Sequence, residues 1–179
     1  EVERLDELVG GILTLARLSE RQDPRFDRQT LDVVDLIREI VEDARFEALS
    51  RDVTVEYEGV NTFVASVNGE LIYRALENVI RNAIAHTKNK TTVLVRSEVH
   101  GQQIQLSIKD MGLGVPEAEL DAIFKPFSQS SIATARSGFG LGLAITRRAA
   151  EWHGGSATAK NIPSGGLCVE VTIPISNGQ

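Results

Sequence analysis

Three alternating apolar residues, Ile104, Leu106 and Ile108, run straight into Asp110-Met111-Gly112-Leu113-Gly114. A clean period of two describes a strand with one face in the core. The strand must therefore end on a carboxylate and a D-x-G-x-G turn. Two other short stretches bracket this turn in chain order. Before it comes an asparagine-rich helix, Glu77-Asn78-Val79-Ile80-Arg81-Asn82-Ala83, and after it Gly138-Phe139-Gly140-Leu141-Gly142-Leu143 leads into another helix.

The rest of the chain alternates between the two periods. Leu5, Leu8, Val9, Ile12, Leu13, Leu15, Ala16 and Leu18 follow a helical spacing close to a heptad seam. Gly10 and Gly11 interrupt it, each costing roughly 1 kcal/mol against Ala, so that helix needs a partner. The partner is either its own domain or a bundle mate. Residues 19–29 are charged, contain Pro24 and read as a connector. A second amphipathic helix starts at Asp32, which with Asp35 resembles a capping arrangement. Val53, Val55 and Tyr57 mark a strand, as do Phe63, Ala65 and Val67. Asn68 is placed to cap the asparagine-rich helix, which turns Ile72, Leu76, Val79, Ile80 and Ala83 inward. Thr91–Val99 forms a hairpin with Ile104–Ile108 through His100-Gly101. A short helix spans Pro116–Phe124, a polar loop Ser128–Ser137, and a helix Leu141–His153 that stops at Gly154-Gly155. Strands at Ser156–Asn161 and Leu167–Ile175 close the pattern. It predicts an α+β protein, an α/β sandwich with a largely antiparallel sheet and helices on one face.

Composition narrows the function. The 179 residues carry a net charge of -6, which argues against a nucleic-acid partner. The single cysteine, Cys168, permits no internal disulfide. No apolar run reaches the length of a membrane span. The chain opens at Glu1 in mid-pattern, as an excised fragment would.

Chemistry sharpens the three stretches. Asn78 and Asn82 stand one turn apart, away from the core face, with Glu77 and Arg81 beside them. Amide oxygens suit Mg²⁺, a hard cation that keeps water and phosphate in its shell. A solvated polar face with a Glu77–Arg81 pair is the plainer alternative. Asp110 would accept from the exocyclic amine of adenine and reject the carbonyl of guanine. Gly112 and Gly114 would let backbone approach a flat ring, or simply make a turn. Gly138, Gly140 and Gly142 leave amides open at a helix start, where phosphate is favoured. A hinge is the alternative there. The spacing is neither a P-loop nor a dinucleotide fingerprint. In combination the three read as a site for a purine nucleotide, its phosphates and a metal ion.

With these motifs in order, the chain resembles the ATP-binding catalytic domain of a bacterial two-component sensor histidine kinase, in the wider group of Hsp90, gyrase B and MutL. Glu77–Thr87 is similar to the family's N box, Asp110–Gly114 to its G1 box, Phe124–Phe127 to its F box and Gly138–Leu143 to its G2 box. The likeness covers about residues 32–175. Residues 1–22 resemble the second helix of the dimerisation and phosphotransfer hairpin, 23–31 its linker, and 32–179 the catalytic domain with a Bergerat-type fold.

The resemblance implies ATP and Mg²⁺ as ligands. Asn78 would hold the metal, with Asn82 supporting phosphate or metal-bound water. Asp110 would bind adenine, with Gly112, Gly114 and Val115 shaping the pocket. Lys125, Phe127, Gly138, Gly140, Leu141, Gly142 and Leu143 would complete the ATP site. Phe124 and Phe127 would anchor a lid at Ser128–Ser137, and Glu77 would polarise the acceptor or pair with Arg81. The implied enzyme transfers the γ-phosphoryl group to a histidine, then to a response-regulator receiver domain. It works as a homodimer on the cytoplasmic side of an inner-membrane sensor.

Departures are also visible. His86, His100 and His153 all lack the context of a phosphoacceptor, so the acceptor lies outside this chain and the fragment should bind ATP without phosphorylating itself. His86 sits where stacking or phosphate contact is expected, while His100 and His153 read as turn and helix-end residues. Ala85 stands where many relatives have a basic residue, which Lys125, Arg81 or Arg136 would replace. A degenerate interaction module and an ATPase of the wider group are the competing readings.

Overall fold

The computed structural model describes residues 2–19, 28–132 and 138–175. Residues 20–27 of the connector and 133–137 of the polar loop, Arg136 among them, lie outside these. The order is α1 (Val2–Ser19), β1 (Gln29–Asp32), α2 (Val33–Leu49), β2 (Thr54–Gly59), β3 (Val64–Val67), α3 (Gly69–His86), β4 (Thr92–His100), β5 (Gln103–Lys109), two 3₁₀ turns at Glu117–Glu119 and Ala122–Phe124, α4 (Gly142–Trp152), β6 (Ser156–Asn161) and β7 (Leu167–Pro174).

Five strands form one mixed sheet in the order β2-β4-β5-β7-β6. Only β2 and β4 run parallel; the other three pairings are antiparallel. The period-two pattern is obeyed strictly in β5, where Ile104, Leu106 and Ile108 are buried between half-exposed or exposed neighbours. Register carries these rows across the sheet: Ile108 faces Val95 on one side and Val169 on the other. A one-residue slip would turn the whole row to solvent.

Helices α2, α3 and α4 cover the buried face. Their side chains Ile37, Ile40, Ile72, Leu76 and Ile80 join the strands in one core. Truncating a residue such as Leu76 to Ala would cost about 2–5 kcal/mol. Helix α2 begins where Asp32 Oδ1 accepts from the Val34 amide at 2.9 Å, and α3 where Asn68 Oδ1 accepts from Leu71 at 3.0 Å. Both caps match the sequence expectation. Asp32 does more, since Oδ1 also takes the Phe63 amide at 2.9 Å and Oδ2 takes Thr62 Oγ1.

Two features depart from the sequence reading. A strand stands between the connector and the second helix: β1 pairs antiparallel with β3 in a separate two-stranded sheet. Four residues with Leu31 as the lone apolar side chain carry too little period-two signal to be seen alone. The expected helix at Pro116–Phe124 is two isolated 3₁₀ turns.

Helix α1 docks on α4. Gly11 allows this, because a Cβ there would sit 2.9 Å from Leu141 Cδ1. Thr14 and Leu18 are buried in the same contact region, and Arg74 of α3 donates to Thr14 Oγ1 at 3.2 Å. Leu5, Val9, Ile12 and Leu13 stay exposed on the remaining surface of α1. The domain itself thus takes one face of this helix, and its apolar remainder stays exposed. Among the described residues, no helix is long and apolar enough to cross a membrane.

Candidate functional site

A cavity of about 700 Å³ opens between α3, the N-terminus of α4 and the end of β5. That volume suits a molecule of nucleotide size. Glu77, Asn78 and Asn82 line it from α3, Asp110, Gly114 and Val115 from the turn after β5, and Gly138, Gly140, Leu141, Gly142 and Leu143 from the glycine stretch. The three motifs, separated in sequence, thus meet at one wall.

Local chemistry explains how each comes there. On α3 the core face takes Ile72, Leu76, Val79, Ile80 and Ala83, which leaves Asn78 and Asn82 toward the cavity. Helix α4 starts directly on Asn78, since a Cβ at Gly142 would lie 3.4 Å from the asparagine's Cβ and Cγ. Thr146 of α4 fixes the crossing by donating to Ala75 O at 2.9 Å. Unlike α2 and α3, α4 has no side-chain N-cap. Its first amides are therefore left for another acceptor.

The turn after β5 is tied down at several points. Asp110 N donates to Leu167 O at 3.0 Å, and Leu167 N returns to Asp110 Oδ1 at 3.1 Å. Gly112 N reaches the same oxygen at 2.8 Å. Met111 N donates to Thr87 Oγ1 at 3.0 Å. Asp110 is only 6% exposed, and burial pushes its carboxyl above the usual range, while the Gly112 and Leu167 amides favour the charged form. Among the described residues, no protein donor is recorded on Oδ2. That oxygen remains for a donor from a ligand.

Three sequence candidates do not reach the wall. Gly112 stands behind it, where a Cβ would meet His86 O at 2.4 Å. Lys125 and Phe127 are exposed and lie off the cavity. Phe124, by contrast, is buried and stacks under the Arg147 guanidinium at 4.0 Å. The two phenylalanines thus differ, and only Phe124 is buried. Nor does Arg81 pair with Glu77: its Nε lies 3.3 Å from Glu47 on α2. Helix geometry permitted the Glu77 pair, but the tertiary neighbour took its place.

Other residues at the wall escaped the sequence reading. Arg51 and Arg74 line the cavity, as do Asp6, Gly10 and Gly11 of the docked α1. No motif flags Arg51; its position depends on the turn after α2, where its guanidinium donates to Ile84 O at 3.4 Å. His86 lines the cavity as expected. Burial holds its imidazole below the ordinary range, with the Asp110 carboxylate pulling the other way. The described start of the polar loop is held by Glu119, which accepts from Ser130 Oγ at 2.8 Å and from the Ser131 amide at 3.0 Å.

Comparison with known proteins agrees with this geometry. The family described as histidine kinase-, DNA gyrase B-, and HSP90-like ATPase matches residues 67–177. A probable sensor histidine kinase of Mycobacterium tuberculosis (strain CDC 1551 / Oshkosh) is 32% identical over 97% of this chain and 44% of its own length. The sensor histidine kinase CpxA of Escherichia coli (strain K12) is 30% identical over 98% of this chain and 38% of its own. The chain therefore spans less than half the length of these curated relatives. Among solved structures, the mycobacterial sensor histidine kinase MprB superimposes with a TM-score of 0.76 at 25% identity, covering 82% of this chain and 97% of that one. The catalytic domain of histidine kinase ThkA does so with a TM-score of 0.73 at 26% identity, covering 82% and 95%. Motif order, cavity and relatives agree: the chain belongs to the histidine kinase-, DNA gyrase B- and HSP90-like ATPase family, as the catalytic ATP-binding domain of a sensor histidine kinase.

Proposed function

We propose that this cavity binds Mg-ATP and presents its γ-phosphoryl group to a histidine on a hairpin helix outside this chain. The observation that carries the adenine assignment is Asp110: buried, with Oδ1 satisfied by two backbone amides and Oδ2 without a protein donor among the described residues. Such a carboxylate accepts the adenine amine and repels the guanine carbonyl. Gly114, Val115 and Leu113 flank the ring beside it.

The phosphate side follows from α4. Its uncapped amides at Gly142 and Leu143, with those of Gly140 and Leu141, cradle the phosphates. Asn78 holds the metal by its amide oxygen and Asn82 the phosphate or a bound water. The donor set fits this arrangement, because Asn78 and Asn82, one turn apart on α3, both line the cavity and offer neutral amide oxygens of the kind a hard cation accepts. A cation here would share amide, phosphate and water oxygens, as Mg²⁺ does. A Mg²⁺ ion held there by Asn78 would supply charge neutralisation to the phosphates. Arg51 and Arg74, rather than Lys125, bring positive charge to the wall.

In the reaction the acceptor imidazole nitrogen forms a bond to phosphorus, the bond to the β–γ bridging oxygen breaks, and ADP leaves. Glu77, not ion-paired with Arg81, faces the cavity where it would polarise that imidazole. The phosphoryl group then passes to an aspartate of a response-regulator receiver domain. Helix α1, within residues 1–22, would be the second helix of the hairpin; the whole protein would act as a homodimer, with this domain on the cytoplasmic side of an inner-membrane sensor.

The test combines this chain with a separate hairpin carrying an acceptor histidine and γ-labelled ATP. Label should appear on the hairpin and never on this chain alone. Intact ATP binding without transfer would instead make the domain a nucleotide-dependent docking module. Steady hydrolysis without a hairpin would make it a plain ATPase.

A further inference from the structure

We propose that Asn161 is a positioning residue for the adenine-facing loop, a role that deepens the ATP reading and rests on it. Asn161 ends β6, the edge strand of the sheet, and does not itself line the cavity. Its carboxamide spans sideways to the backbone of Val115. Val115 N donates to Asn161 Oδ1 at 2.9 Å, and Asn161 Nδ2 donates to Val115 O at 2.7 Å. Nδ2 also reaches Glu117 Oε1 at 3.0 Å. The side chain thus makes the paired donor and acceptor contacts that a neighbouring strand would make. Its orientation is fixed by the partners: a flipped amide would set N–H against N–H and oxygen against two oxygens.

The position matters because of what lies opposite. Asn161 is the register partner of Leu167 across β6 and β7. Leu167 exchanges hydrogen bonds with Asp110, at 3.0 Å to its amide and 3.1 Å to its carboxylate. One hairpin end therefore grips both ends of the loop, Asp110 through Leu167 and Val115 through Asn161. Between them Gly114 takes φ +74°, and a Cβ there would lie 2.5 Å from Asn161 Oδ1. The glycine and the asparagine are fitted to each other. Together they set the distance between the base-reading carboxylate and the apolar wall at Val115, both of which line the cavity.

Two variants of the 179-residue chain test this. Asn161→Ala removes the bridge; Asn161→Asp keeps the shape but sets oxygen against Val115 O and Glu117. Binding of Mg-ATP and of adenosine is measured by calorimetry, and amide exchange at Val115 by mass spectrometry on the nucleotide-free chain. Losing the two hydrogen bonds that hold Val115, with the third to Glu117, leaves the loop to be ordered by the ligand and should weaken binding by about tenfold. ATP and adenosine should lose the same factor, because the loss falls on the base. Val115 exchange should accelerate, while the melting temperature moves by no more than a few degrees. Affinities within twofold of wild type, or unchanged Val115 exchange, overturn the proposal. If Asn161→Ala does not fold, Asn161→Asp decides on the same readings. If the wild-type chain binds no ATP, the ATP reading fails, and Val115 exchange alone decides whether Asn161 holds the loop.

Discussion

The two halves of the cavity are built on different principles. On the base side, the amides of Asp110, Met111, Gly112 and Val115 all donate to partners within the fold. Its carboxylate is already oriented before any ligand arrives. On the phosphate side, α4 begins without a side-chain cap, and Gly138 carries positive φ with open space around its missing Cβ. The described ties there are few, such as Gln129 Nε2 to Gly138 O at 3.2 Å. A prebuilt base pocket saves the ordering cost that would otherwise reduce affinity. A phosphate grip with unsatisfied amides gains its partners only when phosphate is present. On the proposed function, selectivity would belong to the first half and response to the γ-phosphate to the second.

Substitutions that separate adenosine from ATP break this contrast most directly. Asn78→Ala should weaken Mg-ATP by about a hundredfold, from loss of a charge-assisted contact of about 1.5–3 kcal/mol. Adenosine should bind as before; calorimetry with both ligands reads the difference. Equal losses would show that the halves are not independent.

Acid acts on the fold through two histidines held below their ordinary range, His153 and the cavity-lining His86, against Asp110, which is raised. His153, 2% exposed, accepts the Asn68 amide on Nε2 at 3.0 Å, with Ala149 O 2.7 Å from Nδ1. It joins the end of α4 to the start of α3, and neither His153 nor Asn68 lines the cavity. Burial lowers its pKa to about 4 from 6.5. The unfolded chain therefore binds the proton first, and stability present above pH 6.5 is lost as pH falls toward 4, at about 1.4 kcal/mol per unit. Asp110 is raised, so its contribution is greatest below its unfolded pKa of 3.8 and is lost as pH rises through the folded value. Thermal melts between pH 4 and 7 should show a rise in stability with pH that is reduced in His153→Gln, the remainder coming from groups such as His86 that are shifted the same way.

A smaller effect belongs to α1. Gly11→Val would press on Leu141 Cδ1, whose flexible side chain yields, so a cost of about 1 kcal/mol is expected. Melting should shift by a few degrees with adenosine affinity unchanged. A loss of adenosine binding would mean that α1 reaches the base half.

Much of this was legible in the sequence. Period two in β5, the caps at Asp32 and Asn68 and the C-terminal stop at Gly154 are local signals, and each appears where local chemistry puts it. The wall-forming Asn78, Asp110 and Gly142 were legible because their spacing is set by one helix or one turn. Arg51 and the Arg81–Glu47 pair were not, since both depend on how α2 lies against α3. Strand β1 was hidden because its four residues gain meaning only from β3. Lys125 looked suited to phosphate beside the loop, yet the 3₁₀ turn before it directs it to solvent.

The central claim is that Asp110 reads adenine from a prebuilt pocket. Calorimetric titration of Mg-ATP into Asp110→Asn tests it, with a thermal melt as the check on folding. The variant should melt like the wild type and give no measurable binding, because an amide cannot replace the carboxylate toward the adenine amine while Oδ1 still serves Gly112 and Leu167. Undiminished ATP affinity in a folded Asp110→Asn would contradict the account.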